Sequence, residues 1–126
     1  MELNEYQQKA MSTCMASCEN DAYMLLNLVA EVGEFAGKMA KHIRNGELQV
    51  VNNDLCWCNL GVEDMSEEDF MRYINLLKAE AGDILWQLAG LCSAMGWSLE
   101  SVAMANLDKL AGRQRRGVIN GNGDER

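Results

Sequence analysis

Four carboxylates stand in two short phrases of this 126-residue chain, "AEVGEF" at 30–35 and "AEAGDI" at 79–84. The first holds Glu31 and Glu34 and the second Glu80 and Asp83, with Gly33 and Gly82 inside the respective phrases. On a helix, residues three apart share a face, where like charges cost roughly 0.2–0.5 kcal/mol. Each helical glycine costs about 1 kcal/mol more relative to Ala, and burial would enlarge the repulsion. Breaking one local rule twice gives up stability, which is expected where there is function. The chemistry these oxygens suit is binding a hard divalent cation. Mg²⁺ takes octahedral oxygen ligands, keeps several waters and is shared with substrate phosphates, with Mn²⁺ as a possible substitute. On spacing alone, the residues fit equally well two solvated acidic edges, with the glycines serving helix packing.

The elements that must position them read as helices. The pattern predicts a first helix from about residue 5 to 18, then a break at "ENDA" with Asn20 or Asp21 capping the next. The second carries an apolar stripe of Leu25, Leu28, Val29, Val32, Ala36, Met39 and Ile43, and stops at Gly46. With Glu31 at zero on a wheel, the stripe centres near roughly 100° and Glu34 lies about 60° to the other side. Asn27 and Lys38 fall between the two glutamates. Residues 47–65 lose the period and read as a long loop. Ser66 and Asp69 form a capping box for a third helix, which carries Phe70, Ile74, Leu77, Ala81, Leu85, Leu88 and Met95 and ends near Gly96. Glu80 and Asp83 repeat the plan of the earlier pair, here with Leu76, Gln87 and Leu91 as neighbours. Ser98 caps a fourth helix running to about Arg113, and residues 117–126 read as a flexible, Gly-rich tail.

The reading is therefore an all-α, four-helix bundle-like domain over residues 1–116. If the second and third helices pack antiparallel, their carboxylates converge at the edge of the core, a known way to hold paired metals. The glycines would leave room for a partner helix, a metal-bound water or a substrate.

Composition excludes several classes. A net charge of −8 argues against a nucleic-acid polymer as partner, so a smaller phosphate compound would need a cation to mediate. No stretch approaches the roughly 18 apolar residues of a membrane span, and "MELNEYQQKA" lacks the features of a signal peptide. A cytoplasmic protein is the expectation. Five cysteines make an odd count that argues against a disulfide framework. Cys14, Cys18, Cys56 and Cys58 could give four thiolates to zinc or remain plain buried or reactive thiols.

Beyond the four carboxylates, "NEYQQKA", "AEVGEFAGKMAKHI", "KAEAGDILWQLAGLCSAMGWSLESVAMANLDKLAGRQRRG" and "GNGDER" occur in order over most of the chain. In these the sequence resembles the MazG-like nucleoside triphosphate pyrophosphohydrolases, which carry E-x-x-E on one helix and E-x-x-D on a later one. The resemblance implies Mg²⁺-dependent cleavage of the α–β phosphoanhydride of a nucleoside triphosphate to monophosphate and pyrophosphate. It implies Glu31, Glu34, Glu80 and Asp83 as metal ligands, with Glu34 or Glu31 orienting the attacking water. It also implies a homodimer or homotetramer.

The fourth helix brings Asn106, Lys109 and Arg113 within about 60° of one another. There "NLDKLAGR" matches the family's N-x-x-K-x-x-x-R, which implies Lys109 on phosphate and Asn106 on sugar or base. The alternative is a solvated basic end favoured by the helix dipole. Lys38 reads either as a substrate contact or as an i,i+4 partner of Glu34. Trp86 would stack on a base or bury itself against a second subunit. His42 is assigned nothing. Arg115, Arg116, Asp124 and Arg126 match the family's tail, which would fold over bound nucleotide. The Cys-containing loop departs from the family pattern and leaves the preferred base open. Two competing classes remain: a non-catalytic helical protein-interaction module, and a thiol or zinc sensor.

Overall fold

The computed structural model describes residues 1–57 and 66–120. Four helices dominate: α1 (Leu3–Met11), α2 (Asp21–Arg44), α3 (Glu67–Ala94) and α4 (Leu99–Arg115). A 3-10 turn (Ala16–Cys18) joins α1 to α2, and an antiparallel hairpin, β1 (Leu48–Val51) and β2 (Asp54–Trp57), follows α2. The chain is all-α apart from that hairpin. No described helix is long and apolar enough to cross a membrane.

The helix ends obey local chemistry. Ser66 Oγ accepts the Asp69 backbone N–H at 3.1 Å and donates to Asp69 Oδ2 at 2.8 Å, closing the expected capping box. Ser98 Oγ accepts from Ser101 N at 3.0 Å. Gly46 and Gly96 follow α2 and α3 with φ of +74° and +71°, a region a side chain would strain. Lys41 and Arg44 complement the dipole in the last turn of α2.

Two expectations are corrected. The first helix ends at Met11, well short of Cys18. Ser12 Oγ donates to Lys9 O at 2.6 Å and Thr13 Oγ1 to Ala10 O at 2.7 Å, so these hydroxyls take carbonyls near the end of the helix. The span read as a long loop contains the hairpin, with Leu48 opposite Trp57 and Val51 opposite Asp54. Asn52 and Asn53 both adopt positive φ, 52° and 70°, as a two-residue primed turn requires and Asn tolerates. Residues 58–65 lie outside the described residues, as do 121–126, which hold most of the Gly-rich tail.

The chain forms two compact units, one of Met1–Asp21 with Ala89–Arg126 and one of Ala22–Leu88. In the first, Tyr6 packs on Ala89, Cys92 and Leu99. Gln7 ties the turn before α4: its Nε2 donates to Ser93 Oγ and Trp97 O, both at 2.9 Å, and its Oε1 accepts from Leu99 N at 2.7 Å. An amide on α1 thus satisfies one of the four N–H groups that α4 leaves unpaired at its start.

In the second unit, Trp57 holds the hairpin to both helices. Its ring meets His42 at 5.2 Å, Tyr73 at 4.9 Å and Phe70 at 5.8 Å, all edge to face. His42 Nδ1 lies 2.5 Å from Glu47 Oε2. The single histidine therefore belongs to the joint between hairpin and helices.

The apolar stripes expected to form the core are largely uncovered. On α2, Val29 keeps 65% of its surface exposed, and Leu25, Val32 and Ile43 are also exposed. On α3, Ile74, Leu85 and Leu88 are exposed too. Periodicity fixes which face is apolar, not whether the same chain covers it.

Candidate functional site

Glu31 comes from the middle of α2, and Glu80 and Asp83 from adjacent turns of α3. One oxygen of each lies within 4.8 Å of the others. Their exposure is graded: Glu80 is buried, Glu31 half-buried and Asp83 exposed, so the group opens towards solvent at Asp83. Among the described residues this is the group of metal-ligating side chains that gathers.

Two neighbours hold it. Asn27 Nδ2 donates to Glu31 Oε1 at 3.0 Å, fixing one carboxylate oxygen. Lys38 Nζ donates to Glu80 Oε1 in an ion pair that joins α2 to α3. Of the two readings of Lys38, the i,i+4 pairing is corrected: its ammonium pairs with Glu80 on the other helix, not with Glu34. Glu80 keeps only 8% of its surface exposed, and a carboxylate so placed requires a cationic or hydrogen-bonding partner.

Glu34 stands apart. It is exposed and does not belong to the gathered group. On the wheel it sits about 60° beyond Glu31, away from the apolar stripe. The sequence placed four carboxylates together, and the structure brings three together.

The donor set fits a hard cation. All three groups are oxygen donors, and ligands of one octahedral Mg²⁺ lie about 2.9 Å (cis) to about 4.2 Å (trans) apart for bonds near 2.1 Å. A separation within 4.8 Å needs only small rotamer adjustments to reach that range. Gln87 adds a further oxygen on the same face of α3, one turn past Asp83. It is 4% exposed, and its Oε1 has no hydrogen-bond partner among the described residues. A buried, unpaired amide oxygen is costly, and no spacing pattern assigns Gln87 a role, because only burial reveals it.

The glycines do not answer to packing among the described residues. A Cβ built on Gly33 or Gly82 meets nothing there within 4 Å. Trp86, on α3, is half-buried.

In the other unit, Asn106 and Lys109 line an open groove of about 620 Å³ along α4 with Trp97, Ser101, Val102 and Ala105. The amide and the ammonium expected on one stripe do share a surface. Arg113, the third member, is buried at 6% exposure and does not line the groove. Trp97 was not singled out by spacing; only its place in the groove makes it notable. Arg115 and Arg116 are exposed, while Asp124 and Arg126 lie outside the described residues.

The thiols do not form a metal set among the described residues. Cys14 and Cys18 are free, Cys56 is half-buried on β2, and Cys58 lies outside the described residues. Burial, helped by Glu19 and Cys18, pushes the Cys14 thiol above its usual range, so it is a weaker nucleophile and ligand.

The family model described as a MazG nucleotide pyrophosphohydrolase domain matches residues 19–118. A curated protein, the Gene 37 protein of Mycobacterium phage L5, is 34% identical over 110 residues, covering 87% of this chain and 80% of its own. No solved structure gives a significant match.

Proposed function

Because the chain belongs to the MazG nucleotide pyrophosphohydrolase family, we propose that it hydrolyses the α–β phosphoanhydride of nucleoside triphosphates with Mg²⁺, releasing the monophosphate and pyrophosphate. The observation that carries this reading is the convergence of Glu31, Glu80 and Asp83 from two helices to within 4.8 Å. Bound Mg²⁺, or Mn²⁺ in its place, supplies neutralisation of the polyphosphate and activation of a water.

The chain's own residues do the rest. Glu31, Glu80 and Asp83 hold the cation, and Asn27 orients Glu31. Glu34, outside that group and exposed, is free to orient and deprotonate the attacking water. Lys109 and Asn106 contact the substrate's phosphate and its sugar or base, with charge and hydrogen bonding that a triphosphate requires. The exposed apolar stripes of α2 and α3 support self-association as a homodimer or homotetramer. A house-cleaning role on the nucleotide pool fits this chemistry.

The test is a hydrolysis screen across canonical and modified triphosphates, with and without Mg²⁺, with products identified by chromatography. The expected products are monophosphate and pyrophosphate, formed only with metal. Metal-independent turnover, release of orthophosphate alone, or no turnover of any nucleotide would overturn the proposal.

A further inference from the structure

Lys38 and Glu80 lie 42 positions apart, on different helices, and are joined by an ion pair. Glu80 is the most buried of the three gathered carboxylates. One of its oxygens, Oε1, is therefore occupied by an ammonium, so the carboxylate's charge is already shared when a divalent cation approaches. The lysine side chain is itself 38% exposed, so its head can leave for solvent without passing through packed protein.

We propose that Lys38 is an intramolecular counter-ion that exchanges with the divalent cation on Glu80. This rests on the metal reading above. With the ammonium in place, like charges in the group are partly neutralised and the two helices stay registered. A divalent cation drawn to Glu80 meets the like charge of the ammonium and displaces it, so the cation alone binds more weakly than three carboxylates would dictate. The released ammonium is then a donor for phosphate oxygens, so cation and triphosphate bind better together than either does singly. Lys38 acts through Glu80 and is a positioning residue in this account.

The sign of one measurement separates exchange from scaffolding. A lysine that merely holds the helices would, when removed, loosen the group and weaken cation binding. A competing lysine, when removed, strengthens it. The probe is Mn²⁺ alone, followed by electron paramagnetic resonance of the free ion, on wild type and on Lys38→Met. The expected result is binding about tenfold tighter in the variant, the counterpart of one lost charge-assisted hydrogen bond. A non-hydrolysable triphosphate should then tighten Mn²⁺ binding less in the variant than in wild type. Lys78→Met serves as control. It removes the same charge from an exposed position on α3, about 160° around the helix from Glu80.

Unchanged or weaker Mn²⁺ binding in Lys38→Met overturns the exchange and leaves the pyrophosphohydrolase reading standing. Equal tightening in Lys78→Met also overturns it, because the effect would then be the general field. No Mn²⁺ binding by wild type, with or without the analogue, sinks the metal reading and the exchange together. Should Lys38→Met fail to fold by circular dichroism, Lys38→Gln, which keeps a neutral donor, is judged by the same outcomes.

Discussion

Asn27 lies one turn ahead of Glu31 on α2, and its Nδ2 donates a 3.0 Å hydrogen bond to Glu31 Oε1. One carboxylate oxygen is thereby held, which fixes the orientation of the whole group. Partners of this kind orient ligands, and losing them costs metal affinity by roughly 10–100-fold. Asn27→Ala is expected to raise the Mg²⁺ concentration needed for half-maximal turnover by about tenfold. Asn27→Asp should do worse, because it places a further negative charge against Glu31. Metal titrations of both variants check this, and an unchanged requirement would make the bond incidental.

Glu34 and the three gathered carboxylates should separate in their mutant behaviour. Glu80→Gln and Asp83→Asn are expected to abolish pyrophosphate release and Mn²⁺ binding while helicity stays intact. Glu34→Gln should also lose turnover, by at least about 10²-fold for a missing general base, yet bind Mn²⁺ as wild type does. Loss of Mn²⁺ binding in Glu34→Gln would place that residue among the ligands after all. Full turnover in Asp83→Asn would remove the enzyme reading.

Much of this was legible because it is local. Caps at Ser66 and Ser98, stops at Gly46 and Gly96, and the faces of Glu31 and Glu80 depend on residues within a turn or two. The hairpin was not legible. Val50 and Val51 are adjacent and both exposed, so β1 lacks the alternation that marks a half-buried strand, and "NND" signals a loop as readily as a turn. The partner of Lys38 was not legible, because an i,i+4 partner is visible in sequence and one on another helix is not. His42 acquires its neighbours only once Trp57 is placed by that hairpin. Gln87 looks like any polar helix residue until its burial is known.

Tyr73 offers a pH-dependent test of the joint between hairpin and helices. It is buried, its hydroxyl has no hydrogen-bond partner among the described residues, and burial pushes its pKa above the usual 10.0. The folded chain thus holds this proton more tightly than the unfolded chain. The resulting stability is complete below the ordinary value and is lost as pH rises through the raised folded one. Melting temperature should therefore fall on the alkaline side of about pH 10, and Tyr73→Phe should flatten part of that fall. At pH 7 the same substitution removes only an unsatisfied group, so its expected effect lies between neutral and about 1 kcal/mol stabilising. A loss of more than about 1 kcal/mol at pH 7 would show that the hydroxyl is satisfied.

Val29 and Leu25 stand one turn apart on the apolar stripe of α2, with 65% and 53% of their surfaces exposed. Full burial of a side chain of this kind is worth about 1.5–3 kcal/mol, and a stripe continued by Val32 and Ile43 is more than a lone exposed residue requires. If a second copy covers it, a charge at its centre must oppose association while leaving each helix intact. Val29→Glu is accordingly expected to raise the dissociation constant of the oligomer at least tenfold, about 1.4 kcal/mol, and to shift sedimentation towards a single chain. Helicity should not change, since Glu is a better helix former than Val. The position lies about 160° around α2 from Glu31, so Mn²⁺ binding to the variant monomer tells whether the carboxylates need a neighbour. Retained binding would assign the metal group to one chain, and lost binding would make assembly part of the site. A wild type that sediments as a single chain at tens of micromolar would remove the premise, and the stripe would then need a different partner.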